Sequence, residues 1–238
     1  RPLALPVPWA VAEGEVIRQR VTLTLTPGAG SAPAPNAAAS TRARLPQVSL
    51  RIVESFSGTI LEWLNDDRLD FGCLYDIARP RHFISEPLVR EDLYLICPPG
   101  QGSGDLPFEE LPNFPLIMPS RPHGLRERVE RAARETCVML DVTVEIDGLP
   151  QIKSLVSRGV GSSVLSLSAV MDEWRAGQVS ARLITDPHLR RSVYLCRPKG
   201  RPPTEAASAV REIFVAIVRD LVSAGSWPGV LLTDDDAQ

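Results

Sequence analysis

The 238-residue sequence predicts an α/β fold of open sheets, on the strength of one dense unit, the order of the runs after it, and the overall composition. The unit is Val48 to Asp76, which reads strand, helix, strand. Val48, Leu50 and Ile52 alternate with Ser49, Arg51 and Val53, the period of two that sends alternate side chains to one face of a sheet. That strand is expected to end near Glu54. Ser55 to Gly58 reads as a polar turn, and Thr59 followed by Glu62 as a capping box at a helix start. Ile60, Leu61 and Leu64 share one face of the helix, Asn65 to Asp67 stops it, and Leu69 to Tyr75 reads as a strand buried on both faces. Two parallel strands joined by a crossover helix are the building unit of an open α/β sheet.

Composition bounds the function. Apolar residues make up 44% and charged residues 23% of the chain, the proportions of a globular protein. A net charge of −3 supplies no clustered basic face for phosphate contacts, so this chain alone is not expected to bind nucleic acid. Cys73, Cys97, Cys137 and Cys196 lie far apart, without a CxxC or Cys/His metal spacing. They read as reduced thiols of a cytoplasmic protein, with no metal and no cofactor. No stretch reaches the ~18 apolar residues of a membrane span, and the N-terminus lacks a charged-then-apolar signal. No membrane partner is expected.

In chain order, Pro2, Pro6 and Pro8 forbid a regular helix start, and Glu13 to Arg20 is polar with little periodicity. Val21 to Leu25 alternates as a first strand, a Pro- and Gly-rich turn follows, and Asn36 to Leu45 reads as a short Ala-rich helix. The glycines at 28 and 30 do not make a phosphate loop, because a third glycine and a GK[ST] are both lacking. Beyond Asp76, Leu88 to Cys97 is a long strand ended by Pro98 and Pro99, and Phe114 to Met118 is a buried strand. Leu125, Val129, Ala132, Ala133 and Cys137 have helical spacing. Val142 to Ile146 alternates as a strand, Gly148-Leu149-Pro150 starts a helix through Ser157 that Gly159 closes, and Gly161 to Ser166 is a strand. Leu167 to Ala176 reads as a helix, and Val179 to Ile184 and Ser192 to Cys196 as strands. Glu205 to Val222 carries Val210, Ile213, Phe214, Ile217, Val218 and Leu221 on one helical stripe, and the acidic Asp234 to Asp236 reads as a disordered tail.

The segment Pro46-Gln47-Val48-Ser49-Leu50-Arg51-Ile52-Val53-Glu54, the Ser57-Gly58 turn, the apolar helix and the closing Leu69-Asp70-Phe71-Gly72 strand resemble the effector-binding domain of LysR-type transcriptional regulators. Within that family the wording is most similar to the nitrogen-assimilation-control branch, and it can be followed with gaps from about Val21 to Val222. Asp67 stands where the family has Gly, and Asp tolerates a left-handed backbone moderately well. The resemblance implies two Rossmann-like subdomains with a cleft between them, in the periplasmic-binding-protein-like (type 2) arrangement. It divides the chain into residues 1–20 as a linker remnant, 21–94 plus 199–224 as subdomain I, 95–198 as subdomain II, and 225–238 as a tail. It further implies a small-molecule effector, DNA contact only through a winged helix-turn-helix upstream of Arg1, and a homo-oligomer, either dimer or tetramer.

Ligands in open α/β sheets bind outside the carboxyl ends of strands. Three polar turns are candidates to converge there: Thr26 to Ser31, Ser55 to Ser57, and Ser120 to Gly124. The last two lead into helix N-termini, whose unpaired N–H groups and dipole favour an anion. Where the family commonly has a Ser or Thr after a Pro, this chain has Gly28, so Thr26 and Ser31 stand as its substitutes. The effector-binding set is therefore Thr26, Gly28, Ser31, Ser55, Ser57, Ser120, His123 and Gly124. Ser166 replaces the family's Pro after Leu165, a departure at a pocket-lining loop that points to an altered effector. A transporter's solute-binding protein is the alternative reading. An enzyme ranks third and no catalytic residue is assigned, because neither a GxSxG elbow nor an HExxH is present.

Overall fold

The computed structural model describes residues 50–55, 57–76, 82–102 and 104–233. The elements below belong to the unit formed by residues 54–238. The linker over 1–20, the strand over 21–25, the helix over 36–45 and the acidic tail over 234–236 lie outside the described residues.

The strand expected to run to Glu54 is not formed over residues 50–54. Leu50 and Ile52 are 47% and 75% exposed, and no described strand pairs with this segment. An alternating pattern becomes a strand only where a neighbour takes up its N–H and C=O groups. The helix that follows, α1 (Ser57–Asn65), starts two residues earlier than the expected capping box, so Thr59 lies inside it. Its Leu64 is fully buried, with Ile60 and Leu61 packed beside it. Asp67 takes φ 58° just beyond α1 while Arg68 N–H bonds the Trp63 carbonyl, the left-handed stop that Asp was expected to tolerate. The next strand, β1 (Gly72–Tyr75), is shorter than expected.

Then come β2 (Phe83–Cys97), β3 (Leu106–Pro107), a 3-10 turn (Phe108–Asn113), β4 (Leu116–Met118), α2 (Gly124–Glu135), β5 (Val142–Glu145) and α3 (Leu149–Ser157). They are followed by β6 (Ser163–Ser166), a 3-10 turn (Leu167–Val170), α4 (Met171–Arg175), β7 (Ser180–Thr185), β8 (Arg190–Pro198), α5 (Glu205–Ser223) and β9 (Val230–Leu231). Helix α2 stops two residues short of Cys137, which adopts φ 56° while Val138 N–H bonds the Ala133 carbonyl. Gly159, at φ 79°, closes α3 as expected.

Two α/β lobes share the long strand β2. In the first lobe β2 and β1 both pair antiparallel with β8. Leu88, Val89, Val193, Leu195, Val215 and Val218 form its core, with Leu64, Leu74 and Cys196 beside α1. In the second lobe the C-terminal half of β2 pairs with β6 and β7. There β4–α2–β5 is the parallel strand–helix–strand unit, so the crossover geometry expected at Val48 to Asp76 is realised here instead. The core of this lobe runs from Leu93 to Leu189. Residues 193–196 of β8 pair with β1, and β9 pairs with Val89 and Arg90 on β2.

Candidate functional site

A cavity of about 890 Å³ lies between the two lobes. The first lobe contributes Ser55, Ser57 and Gly58 at the start of α1, Tyr75 and Asp76 at the end of β1, and Leu221 and Trp227 around the end of α5. The second lobe contributes Pro119, Pro122, His123, Gly124, Leu125 and Arg128 from β4–α2, Asp147 to Pro150 at the start of α3, and Leu165, Ser168 and Ala169 after β6. Glu91 on β2 and Arg191 on β8 line it just before β2 leaves β8 to pair with β6 and β7.

Three helices present their N-termini to this one space. The first turn of a helix has N–H groups without intrahelical partners and a positive dipole end. In α2 one of them is already taken: Leu125 N–H donates to His123 Nδ1 at 3.1 Å, so His123 is the N-cap. That bond needs an unprotonated Nδ1. Burial and the Arg191 charge push the His123 pKa below its ordinary 6.5, against the pull of Asp147 and Glu127.

The sequence-predicted residues divide clearly. Ser55, Ser57, His123 and Gly124 line the cavity. Ser120 is not among the lining residues; its hydroxyl donates to Asp147 Oδ1 and Oδ2 at 2.6 and 2.8 Å, and its backbone N–H donates to Oδ1 at 2.9 Å. These bonds hold the Asp147 carboxyl below its ordinary range. Ser120 thus positions a cavity carboxylate instead of facing the cavity itself. Thr26, Gly28 and Ser31 lie outside the described residues.

Several cavity residues went unread in the sequence. Glu91 is 1% exposed and satisfies both carboxylate oxygens: Oε2 accepts from Arg191 Nε at 2.7 Å, and Oε1 accepts from Trp227 Nε1 at 2.6 Å and from the Ser168 hydroxyl. Arg191 also donates to Ser166 Oγ at 2.8 Å and lies 3.9 Å from the centroid of the Tyr75 ring. Ser166, noted as a departure from the family, is therefore an anchor for Arg191. Asp76 accepts from Ser192 N–H at 2.9 Å and from Arg128 Nη1 at 3.2 Å, joining the first lobe to the second. The available signal was the charged triplet Arg90-Glu91-Asp92 inside the otherwise apolar run Leu88 to Cys97.

No group of three or more His, Cys, Asp or Glu among the described residues could hold a metal ion. All four cysteines are free. Burial pushes the Cys73 thiol up to about 12 and raises Cys97 and Cys196, which leaves three poor nucleophiles. No described helix is long and apolar enough to cross a membrane.

Residues 14–218 match the LysR substrate binding domain family. The chain is 29% identical over 210 residues to the nitrogen assimilation regulatory protein nac of Klebsiella aerogenes, covering 86% of this chain and 68% of that protein. It is 22% identical over 220 residues to the HTH-type transcriptional regulator BbuR of Bordetella bronchiseptica, covering 90% and 67%. Among solved structures, the effector-binding domain of QuiR in complex with shikimate superposes with a TM-score of 0.60 at 17% identity, over 70% of this chain and 79% of that one. The regulatory domain of Synechocystis PCC6803 CcmR in complex with 2-PG gives 0.63 at 18%, over 70% and 82%. These likenesses carry the type 2 periplasmic-binding-protein-like fold, and the named relatives are transcriptional regulators. The chain belongs to the LysR substrate binding domain family and is the ligand-sensing regulatory domain of a LysR-type transcriptional regulator.

Proposed function

We propose that the effector of this domain is a small carboxylate that also carries hydroxyl or other donor groups, and that it binds in the cavity between the lobes. The observation that carries this reading is the convergence of the N-termini of α1, α2 and α3 on one space. Together they offer N–H donors and positive dipole ends to an anion. Asp147, fixed by Ser120, supplies an acceptor for a ligand hydroxyl. Ser55, Ser57, His123 and Gly124 are the effector contacts in this reading, and Thr26, Gly28 and Ser31 keep their proposed role in the same set. The shikimate and 2-PG complexes of QuiR and CcmR support a ligand of this size and polarity.

Regulation then follows from a difference in ligand affinity between two arrangements of the domain. Exposed Ile213 and Ile217 on α5 support self-association as part of the assembly. The DNA-contacting part lies outside this chain in the proposed assembly, and no catalytic step is assigned to it.

Calorimetric titration with a panel of hydroxy-carboxylates, their neutral amides and matched amines tests the reading. Carboxylates should bind at one per chain and more tightly than the amides. Glu54, Asp76, Glu91 and Asp147 also line the cavity, so the amines are the informative competitors. A preference for amines would show that these acids, not the helix ends, set the ligand's charge.

A further inference from the structure

The arginines around the cavity differ in how their guanidinium groups are used. Arg191 places Nε on Glu91 and Nη2 on Ser166. Arg121 gives Nε and Nη2 to Glu130. Arg126 gives Nε to Glu130 and Nη1 to the Pro119 carbonyl, with Nη2 3.3 Å from Glu145. Arg128 departs from this pattern. Among the described residues it makes one hydrogen bond, from Nη1 to Asp76 Oδ2 at 3.2 Å, while its Nε is shielded from solvent and has no partner there.

A shielded N–H without an acceptor is destabilising, so this arrangement leaves Arg128 under-satisfied. Asp76 cannot correct the deficit by turning. Its other oxygen is held by Ser192 N–H at 2.9 Å, and its backbone sits at φ 48°. The edge left unused, Nε with Nη2, is the one that grips a planar carboxylate through two parallel N–H···O bonds. Both residues line the cavity, each with a side chain 33% exposed.

We propose that Arg128 is the residue that recognises the effector's carboxylate, and that Asp76 is the intramolecular carboxylate it gives up to do so. This rests on the carboxylate reading of the cavity. On binding, Arg128 swings off Asp76 and takes the ligand's two oxygens on its Nε–Nη2 edge. One ion pair between the lobes is thereby exchanged for a ligand held between them. Asp76 then acts as a competitor, and effector affinity is set by the difference between a fixed single bond and a free bidentate one.

The experiment uses the domain with L-malate and shikimate as probes, beside their amides, in four forms: wild type, Asp76→Asn, Arg128→Gln and the double variant. Asn at 76 keeps the oxygen for Ser192 N–H and tolerates a left-handed backbone. Asp76→Asn should tighten the carboxylates by about tenfold and Arg128→Gln weaken them by about tenfold or more, the scale of one hydrogen bond to a charged group. The amides should bind all four forms alike, and the double variant should be as weak as Arg128→Gln. If Arg128→Gln holds the carboxylates as the wild type does, the assignment is overturned while the carboxylate reading stands. Equal tightening by Asp76→Asn with and without Arg128 also overturns it, since only general repulsion would then be relieved. No wild-type preference for carboxylates over amides overturns both.

Discussion

Glu91 on β2 and Arg191 on β8 sit directly opposite one another in the antiparallel register, just before β2 leaves β8 to pair with β6 and β7. Their ion pair, at 2.7 Å, is almost fully withdrawn from water on the Glu91 side. Because Glu91 also receives the Trp227 indole and the Ser168 hydroxyl, it ties the C-terminal return, β8 and the segment after β6 through one carboxylate.

Glu91→Gln should therefore destabilise the domain strongly. The amide replaces an acceptor with a donor and removes the charge, which leaves the half-buried Arg191 against a neutral neighbour. Removing one partner of a buried pair costs about 3–5 kcal/mol. Urea unfolding should register a loss of that order, and replacing both residues with Met should cost less than Glu91→Gln. A Glu91→Gln loss under about 1 kcal/mol would place this pair with weak surface contacts.

The pH dependence has a defined sign. Burial keeps the folded-state pKa of His123 below its ordinary value of 6.5, so below that pH the unfolded chain takes up a proton that the folded chain resists. The His123 contribution is complete above pH 6.5 and is lost as pH falls through the depressed folded pKa. Asn also caps helices, so His123→Asn should keep α2 intact while flattening this part of the stability profile. Identical acid-side slopes for wild type and variant would remove His123 from the explanation.

Ser120→Ala should act on Asp147 more than on the fold. The single Ser120 hydroxyl proton is shared between both Asp147 oxygens, and the backbone N–H of Ser120 donates to Oδ1 as well. Carboxyl carbon NMR should show the Asp147 pKa rising part of the way to its ordinary value, since the backbone bond remains. Hydroxylated carboxylates should weaken while their deoxy counterparts hold. An unmoved Asp147 titration would mean that the backbone bond alone fixes it.

Gly229→Ala tests the C-terminal return. A Cβ at 229 would stand 2.6 Å from Val89 Cγ1 and 2.9 Å from the Arg90 carbonyl oxygen, too close for β9 to keep its place on β2. Trp227 fluorescence should shift as its bond to Glu91 loosens. Retention of the wild-type spectrum would show that Trp227 holds its position independently of β9.

Much of the second lobe was legible because its signals are local. Gly148-Leu149-Pro150 and Gly159 bracket α3, and the apolar spacing from Leu125 to Ala133 matches the buried face of α2. The segment from Leu50 to Glu54 shows the limit of such signals: its alternation is clean, yet no described strand pairs with it. Site residues divide the same way. Ser57, His123 and Gly124 were legible because a helix start is written in adjacent residues. Glu91 and Arg191 are 100 residues apart, and only the β2–β8 register brings them together. Residues 226–231 carry little pattern of their own, and pairing with β2 gives them their structure.

The most direct test of carboxylate binding in the cavity between the lobes is an NMR titration of 15N-indole-labelled domain with shikimate. Trp227 lines the cavity, whereas Trp63 and Trp174 do not. Saturable binding should shift the Trp227 indole signal, leave those of Trp63 and Trp174 in place, and be lost when the neutral amide replaces the acid. Saturable shikimate binding that moves Trp63 or Trp174 while Trp227 stays fixed, or equal binding of the amide, would contradict it.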